Sequence, residues 1–277
     1  MKKLTVFCAA ACLAASAAAQ NHPDLHEVLD RQKGRNLIEI PKGTYTLDVR
    51  SNGPYKFHNL TDVHINGNGS TVICNNQEQA FSFYNCVRVE LRDLTIDYDP
   101  LCFTQGEITA VAEDGSWFDV RIDEGYPVTG LAANRVQFYD PQTRLLKRNS
   151  ITTYTSNYSA LKQLGHNLFR AVKNGTWSAG EQVGDLVVMD VKTDKPNAGV
   201  HTVMLNKCYN TKLENVTVYG SNTFSFFEKE GYANEYRNCV VDRGPMPQCI
   251  RPRLRSGNAD GIHSSQARKG PTVTGCK

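Results

Sequence analysis

The sequence lacks most of the short signatures that announce a reaction. It has no GxSxG elbow, no Walker loop and no GxGxxG at a strand-to-helix turn, so nucleophilic-serine and nucleotide chemistry have no support. It has no CxxC pair and no Cys or His at ligand spacing, so it offers no zinc site. A dominant charge is missing as well. The formal net charge is +3, and Lys2 and Lys3 supply two of those charges. A nucleic-acid partner needs a strongly basic face, so that class is disfavoured. Tryptophan is scarce, with Trp117 and Trp177 alone. The one long apolar run, residues 4–15, is shorter than the roughly 20 residues that span a bilayer. Ala17-x-Ala19 follows it and fits a signal-peptidase site. Residues 1–19 therefore read as a secretory signal, and the mature chain as exported to periplasm, cell surface or medium with no membrane span.

Of nine cysteines, Cys8 and Cys12 fall in that leader, which leaves seven. An odd number without a small-domain framework argues against a set of staples read from spacing. The expectation is that most are small buried hydrophobes.

What the sequence does have is a weak repeat. FHNLTDVHINGNGSTVI, FYNCVRVELRDLTI and LNKCYNTKLENVTV align on Leu60, Cys86 and Cys208. Five residues on stand Ile65, Leu91 and Leu213; then come Leu94 with Val216, and Ile96 with Val218. The motif returns as YRNCVV at Cys239 and TVTGCK at Cys276. Each unit is a short alternating strand, a polar bend and a second short strand. The spacing of 26 to 37 residues is that of a solenoid. Period-two strands punctuated by Asn and Gly predict parallel β-coils whose apolar faces bury only against neighbouring coils. The fold class read from this is all-β: a right-handed parallel β-helix with an N-terminal capping helix in HPDLHEVLDRQKG. The closing VTGCK matches the opening of another unit, so the expectation is that Lys277 interrupts the stack. A terminal coil ending on Cys276 is the alternative.

Residues 100–200 break the repeat with alternating strands and turns, as in TQGEITAVAEDGSWFDVRIDEGY. They predict a small inserted antiparallel β-barrel or sandwich, the barrel being the reading taken. The domain reading is thus a signal at 1–19, a cap and first coils at 20–99, the insert at 100–200 and further coils at 201–277. Trp117 and Trp177 lie in the insert, as core residues or as stacking platforms for a sugar.

The titratable residues concentrate near the end, in RPRLRSGNADGIHSS. Arg251, Arg253, Arg255, Asp260 and His263 crowd together. On a regular strand Asp260, Ile262 and Ser264 would share a face and His263 would point away; a bend at Gly261 would reunite them. Asn-x-Asp-Gly is also good turn chemistry, and three arginines also make a solvated face. Glu228 and Glu230 alternate onto one face a coil earlier, as sugar ligands or as an exposed edge. Nothing here calls for a metal or a cofactor.

Two stretches carry a family likeness. IEIPKGTY resembles the entry coil of the pectin-lyase-like β-helix superfamily, and NADG resembles the Asn-x-Asp-Gly motif of β-helix glycosidases such as polygalacturonases. The order of elements, with a barrel inserted at TQGEITAV, is similar to that of β-helix α-1,3-galactosidases. The resemblance spans most of residues 35–277. It implies an inverting glycoside hydrolase acting on a glycan or oligosaccharide, Asp260 as one catalytic carboxylate, and His263, Arg251, Arg253, Arg255, Glu228 and Glu230 as substrate ligands. Those families carry an Asp-Asp pair one coil later. This sequence has no Asp-Asp, so a partner carboxylate would fall beyond Lys277 and the chain's own activity is in question. Inversion needs two carboxyl groups about 6.5–9.5 Å apart. A non-catalytic glycan-binding or adhesin β-helix, and a polysaccharide lyase that would need a Ca²⁺ site or a Lys or Arg base on the groove and an acidic polymer, are the rival readings.

Overall fold

The computed structural model describes residues 22–191, 201–221, 223–245, 251–254 and 260–277. Residues 1–21, which include the segment read as a secretory signal, and Cys249, Arg255 and Asn258 lie outside them. Within them the chain is all-β apart from two short helices, Leu25–Asp30 and Val49–Asn52, and a 3₁₀ turn. Asp24 caps the first helix by accepting from the His26 amide at 3.0 Å, which satisfies one orphan donor of the first turn. Its Leu25 and Leu29 are buried in the same apolar cluster as Ile40 and Leu47.

From Leu37 the chain passes back and forth between two parallel sheets. One holds, side by side, Leu37–Glu39, His64–Cys74, Glu90–Tyr98, Lys212–Tyr219, Glu235–Arg237 and Thr272–Thr274. The other holds Tyr55–His58, Phe81–Tyr84, Val203–Asn206, Phe226–Lys229 and Ile262–Ser265. Spatial order follows chain order in both, so each circuit stacks on the one before. The aligned positions of the repeat are the columns of the first sheet. Ile38, Ile65, Leu91, Leu213, Tyr236 and Val273 pair in succession. In the second sheet Phe57, Phe83, Leu205, Glu228 and Ser264 form one column. Leu91, Leu213, Phe83 and Leu205 are at most 1% exposed.

The polar bends recur for a conformational reason. Asn59, Asn85, Lys207, Glu230 and Gln266 directly follow the strands of the second sheet, and all have φ between 53° and 57°. Asp93, Asn215 and Asn238 repeat the left-handed bend in the first sheet, and Gly275 continues it at φ 67°. That region costs an ordinary residue roughly 1–2 kcal/mol, and Asn and Asp enter it most readily. Adjacent coils add a ladder: Asn85 Nδ2 donates to Asn59 Oδ1 at 2.8 Å, and Asn215 Nδ2 to Asp93 Oδ1 at 2.9 Å.

Between Glu90–Tyr98 and Val203–Asn206 lies a seven-stranded antiparallel sheet. Its order is Thr153–Tyr154, Leu131–Tyr139, Leu186–Val191, Phe103–Val111, Trp117–Ile122, Leu168–Lys173, Tyr158–Gln163. The two edge strands are consecutive in sequence, joined by the 3₁₀ turn Thr155–Asn157. The sheet therefore curls, with Phe118, Phe138, Phe169 and Met189 in a core of its own. No ladder joins the two edge strands among the described residues, and Tyr158–Gln163 lies beside Leu131–Tyr139.

Asp190, on the last strand of this sheet, is 7% exposed and its Oδ1 has no partner. Burial pushes its carboxyl up to about 7, against a weaker opposing pull from Arg135. The folded value lies above the unfolded one, so the native state holds the proton between about pH 4 and 7 and loses stability as pH rises through that window. Asp190→Asn is expected to stabilise the protein by about 1–3 kcal/mol at pH 8 and by almost nothing at pH 4. Urea unfolding at the two pH values checks this; equal gains at both would contradict it.

Candidate functional site

The second sheet has an inward and an outward face. Phe57, Phe83 and Leu205 point inward, whereas Ser82, Met204, Phe227 and His263 form an outward row in register. His201, Phe224 and Asp260 each stand two residues before one of these strands. Three rings from three successive coils stack in parallel. His201 lies on Phe224 at 4.8 Å between centroids, and Phe224 on His263 at 4.1 Å, both with planes 5° apart. Phe227 leans across them, 4.3 Å from His201 and 5.6 Å from His263.

Asp260 joins this stack. Its Oδ2 is 3.3 Å from His263 Nδ1, and the two side chains are 49% and 41% exposed. The strand begins at Ile262, so its alternation does not reach back through Gly261 to Asp260. Ile262 packs against the core and Ser264 bonds inward, while Asp260 and His263 meet outside. Imidazole and carboxylate thus sit side by side against an aromatic wall. Burial, and secondarily the nearby His263, lower His201 to about 4, so its ring is neutral through the neutral pH range. Its Nδ1 is buried without a partner. The sequence left Phe224, Phe226 and Phe227 as core or stacking residues and passed over His201. Aligning the repeats on their second strands would have placed His201, Phe224 and Asp260 at one position.

Both candidate glutamates lie elsewhere. Glu228 is in the inward column and fully buried; it accepts from Asn234 Nδ2 at 2.8 Å and from Ser264 Oγ at 3.2 Å. Asn234 donates onward to Cys208 O and accepts from the Thr211 amide, so the carboxylate is one member of an interior polar rung. A Cβ on Gly231 would come within 2.6 Å of Glu228, which explains why glycine stands there. Glu230 sits on a left-handed bend with its carboxylate 3.8 Å from Lys207 Nζ. The two residues do not share a face, because the strand ends at Lys229.

Of the three candidate arginines, the two that are described, Arg251 and Arg253, are engaged by acids. Arg251 bonds Glu107 and lies 3.3 Å from Asp123, both on the inserted sheet side. Arg253 is 4% exposed and forks onto buried Asp97 at 2.7 and 3.0 Å. Around them Gln105 Nε2 and Arg144 Nη2 donate to Pro252 O, the Leu254 amide donates to Gln105 Oε1, and Leu254 fills the core of the insert. RPRL is thus a staple between coils and insert. Arg253 is corrected from substrate ligand to structural cation, since its guanidinium is buried and already matched. Neither arginine is free to act as the base of a lyase. Arg255 lies outside the described residues.

Among the described residues no group of three or more His, Cys, Asp or Glu is disposed to hold a metal ion, and no helix is long and apolar enough to cross a membrane. No family model matches the chain, and no curated protein is similar to it. Among solved structures, the tailspike protein gp49 from Pseudomonas phage LKA1 is similar over 82% of this chain and 48% of that one, at 12% identity and a TM-score of 0.22. The chain spans about half of that protein's length.

Removing one partner from a buried pair leaves an uncompensated charge, which costs roughly 3–5 kcal/mol. Arg253→Met should therefore lower stability by that order, and adding Asp97→Leu should recover much of the loss. A single variant that keeps its melting temperature but loses glycan affinity would return Arg253 to the list of ligands.

Proposed function

We propose that the two parallel sheets wind as a right-handed parallel β-helix and that the protein is exported and acts on glycans. The outward face around His201, Phe224, Phe227, Asp260 and His263 is the glycan site. One observation carries this reading: an exposed carboxylate–imidazole pair stands against a stack of rings drawn from three successive coils. Sugar recognition calls for that combination. Aromatic surface packs against the C–H face of a pyranose, while a few convergent polar groups hold its hydroxyls. Asp260 is the carboxylate that reacts, either protonating the leaving oxygen or activating water. His263 orients Asp260 and bonds a hydroxyl. The leader at residues 1–19 supports export, and the likeness to β-helix α-1,3-galactosidases supports a galactose-containing substrate.

A second reading has its own support. Glu228 faces the interior and Glu230 faces Lys207, so neither of the proposed acidic neighbours stands with Asp260. A single carboxylate cannot be both acid and base in an inverting hydrolysis. On that reading the face binds glycans without turnover.

The two readings separate on Asp260→Asn. For a hydrolase, turnover of a nitrophenyl α-galactoside falls by about 10²-fold or more, while oligosaccharide affinity measured by calorimetry changes little. For a binding protein, neither form turns over and both bind alike. Absence of binding to any galactose-containing glycan would discard both.

A further inference from the structure

The cysteines were read as buried hydrophobes, and Cys74, Cys86, Cys102, Cys208 and Cys239 are buried free thiols, with Cys276 half-buried. Their columns carry a further consequence. Tyr84 pairs with Asn206 and Val87 with Tyr209, which puts Cys86 and Cys208 opposite one another on successive coils. The Tyr209 amide donates to Cys86 O at 2.9 Å. Arg237 pairs with Thr274, which does the same for Cys239 and Cys276, and the Lys277 amide donates to Cys239 O at 3.0 Å. The sulfurs are directed along the stack: Cys86 Sγ is 3.1 Å from Phe57 O, Cys239 Sγ 3.5 Å from Leu213 O and Cys276 Sγ 3.5 Å from Tyr236 O, each on the preceding coil.

Neighbouring parallel strands run roughly 4.8 Å apart. That spacing lies inside the roughly 4.4–6.8 Å range of Cα separations a disulfide accepts. We propose that Cys86 with Cys208, and Cys239 with Cys276, are two interior disulfide sites, each welding a coil to the next by exchange with an external small-molecule disulfide. The half-buried Cys276, as thiolate, attacks that disulfide, forms a mixed disulfide and releases one thiol. The Cys239 sulfur then loses its proton to solvent, attacks Cys276 and expels the second thiol. One external disulfide is reduced to two thiols as two protein thiols become one bond. Cys239 is buried, which pushes its thiol up to about 12, so the half-buried Cys276 sulfur is the one that meets the reagent. Cys86 and Cys208 are both enclosed, so their bond closes during folding and not in the finished stack.

The test uses oxidised glutathione as the probe, on the full chain. Native protein incubated with it should become two hydrogens lighter, with one cross-linked peptide joining Cys239 to Cys276. Refolding from guanidinium in a glutathione redox buffer should add a second link, Cys86 to Cys208, and raise Tm by about 10 °C over the reduced form. Cys276→Ser, at a half-buried position, should abolish the first link and leave the second. Cys208→Ser should do the converse. The proposal fails if all four sulfurs remain alkylatable in denaturant after both treatments. It fails equally if links to Cys74 or Cys102 form as readily.

Discussion

Among the described residues, a strand of the two parallel sheets pairs only with strands of the circuit before and the circuit after. That constraint governs the rest. Main-chain hydrogen bonds set the rise per coil, and side chains at one sequence phase must then lie in one column. Columns of like residues bury well; an unlike residue has to be accommodated by its neighbours above and below. Glu228 shows the rule from its exception. It falls in the column of Phe57, Phe83 and Leu205, and it is held there by Asn234 and Ser264, one from the bend that follows and one from the next coil.

The same constraint decides what could be read before the structure was seen. Leu91, Leu213 and their flanking partners were legible because a column requires the same residue type at the same phase, and the sequence repeats it. The left-handed bends were legible through Asn and Asp, whose short side chains tolerate that backbone. Closure of the inserted sheet was not legible. Alternation identifies strands, and says nothing of which edges pair. The arginines misled for a related reason. RPRL alternates like an exposed strand, but its partners Asp97, Glu107 and Asp123 are more than a hundred residues away in sequence, and no local pattern encodes that distance.

At the candidate site the sequence presented Asp260 and His263 and left open whether they met. The deciding term was where the strand starts. With Ile262 as its first residue, inward packing of Ile262 and inward bonding of Ser264 fix His263 outside, and the rings of the two earlier coils fix its plane. His201 escaped notice, and Phe224 stayed between core and stacking, because their chemistry is ordinary one residue at a time. It is the rise between coils that turns an imidazole and a phenyl into a wall beside the carboxylate.

The placement of the antiparallel sheet within a single circuit bears on how the chain assembles. Phe81 finds Tyr55 after a short excursion, whereas its other neighbour, Val203, arrives only after the entire sheet has been traversed. Closing so long a segment carries an entropic penalty that grows only slowly with length when the segment is loose. A segment that folds on its own core first brings its two ends to a defined separation. The first circuits can then zip locally. Those after Asn206 wait on the excursion's completion, which makes the join between Phe81–Tyr84 and Val203–Asn206 the kinetic bottleneck of an otherwise sequential winding.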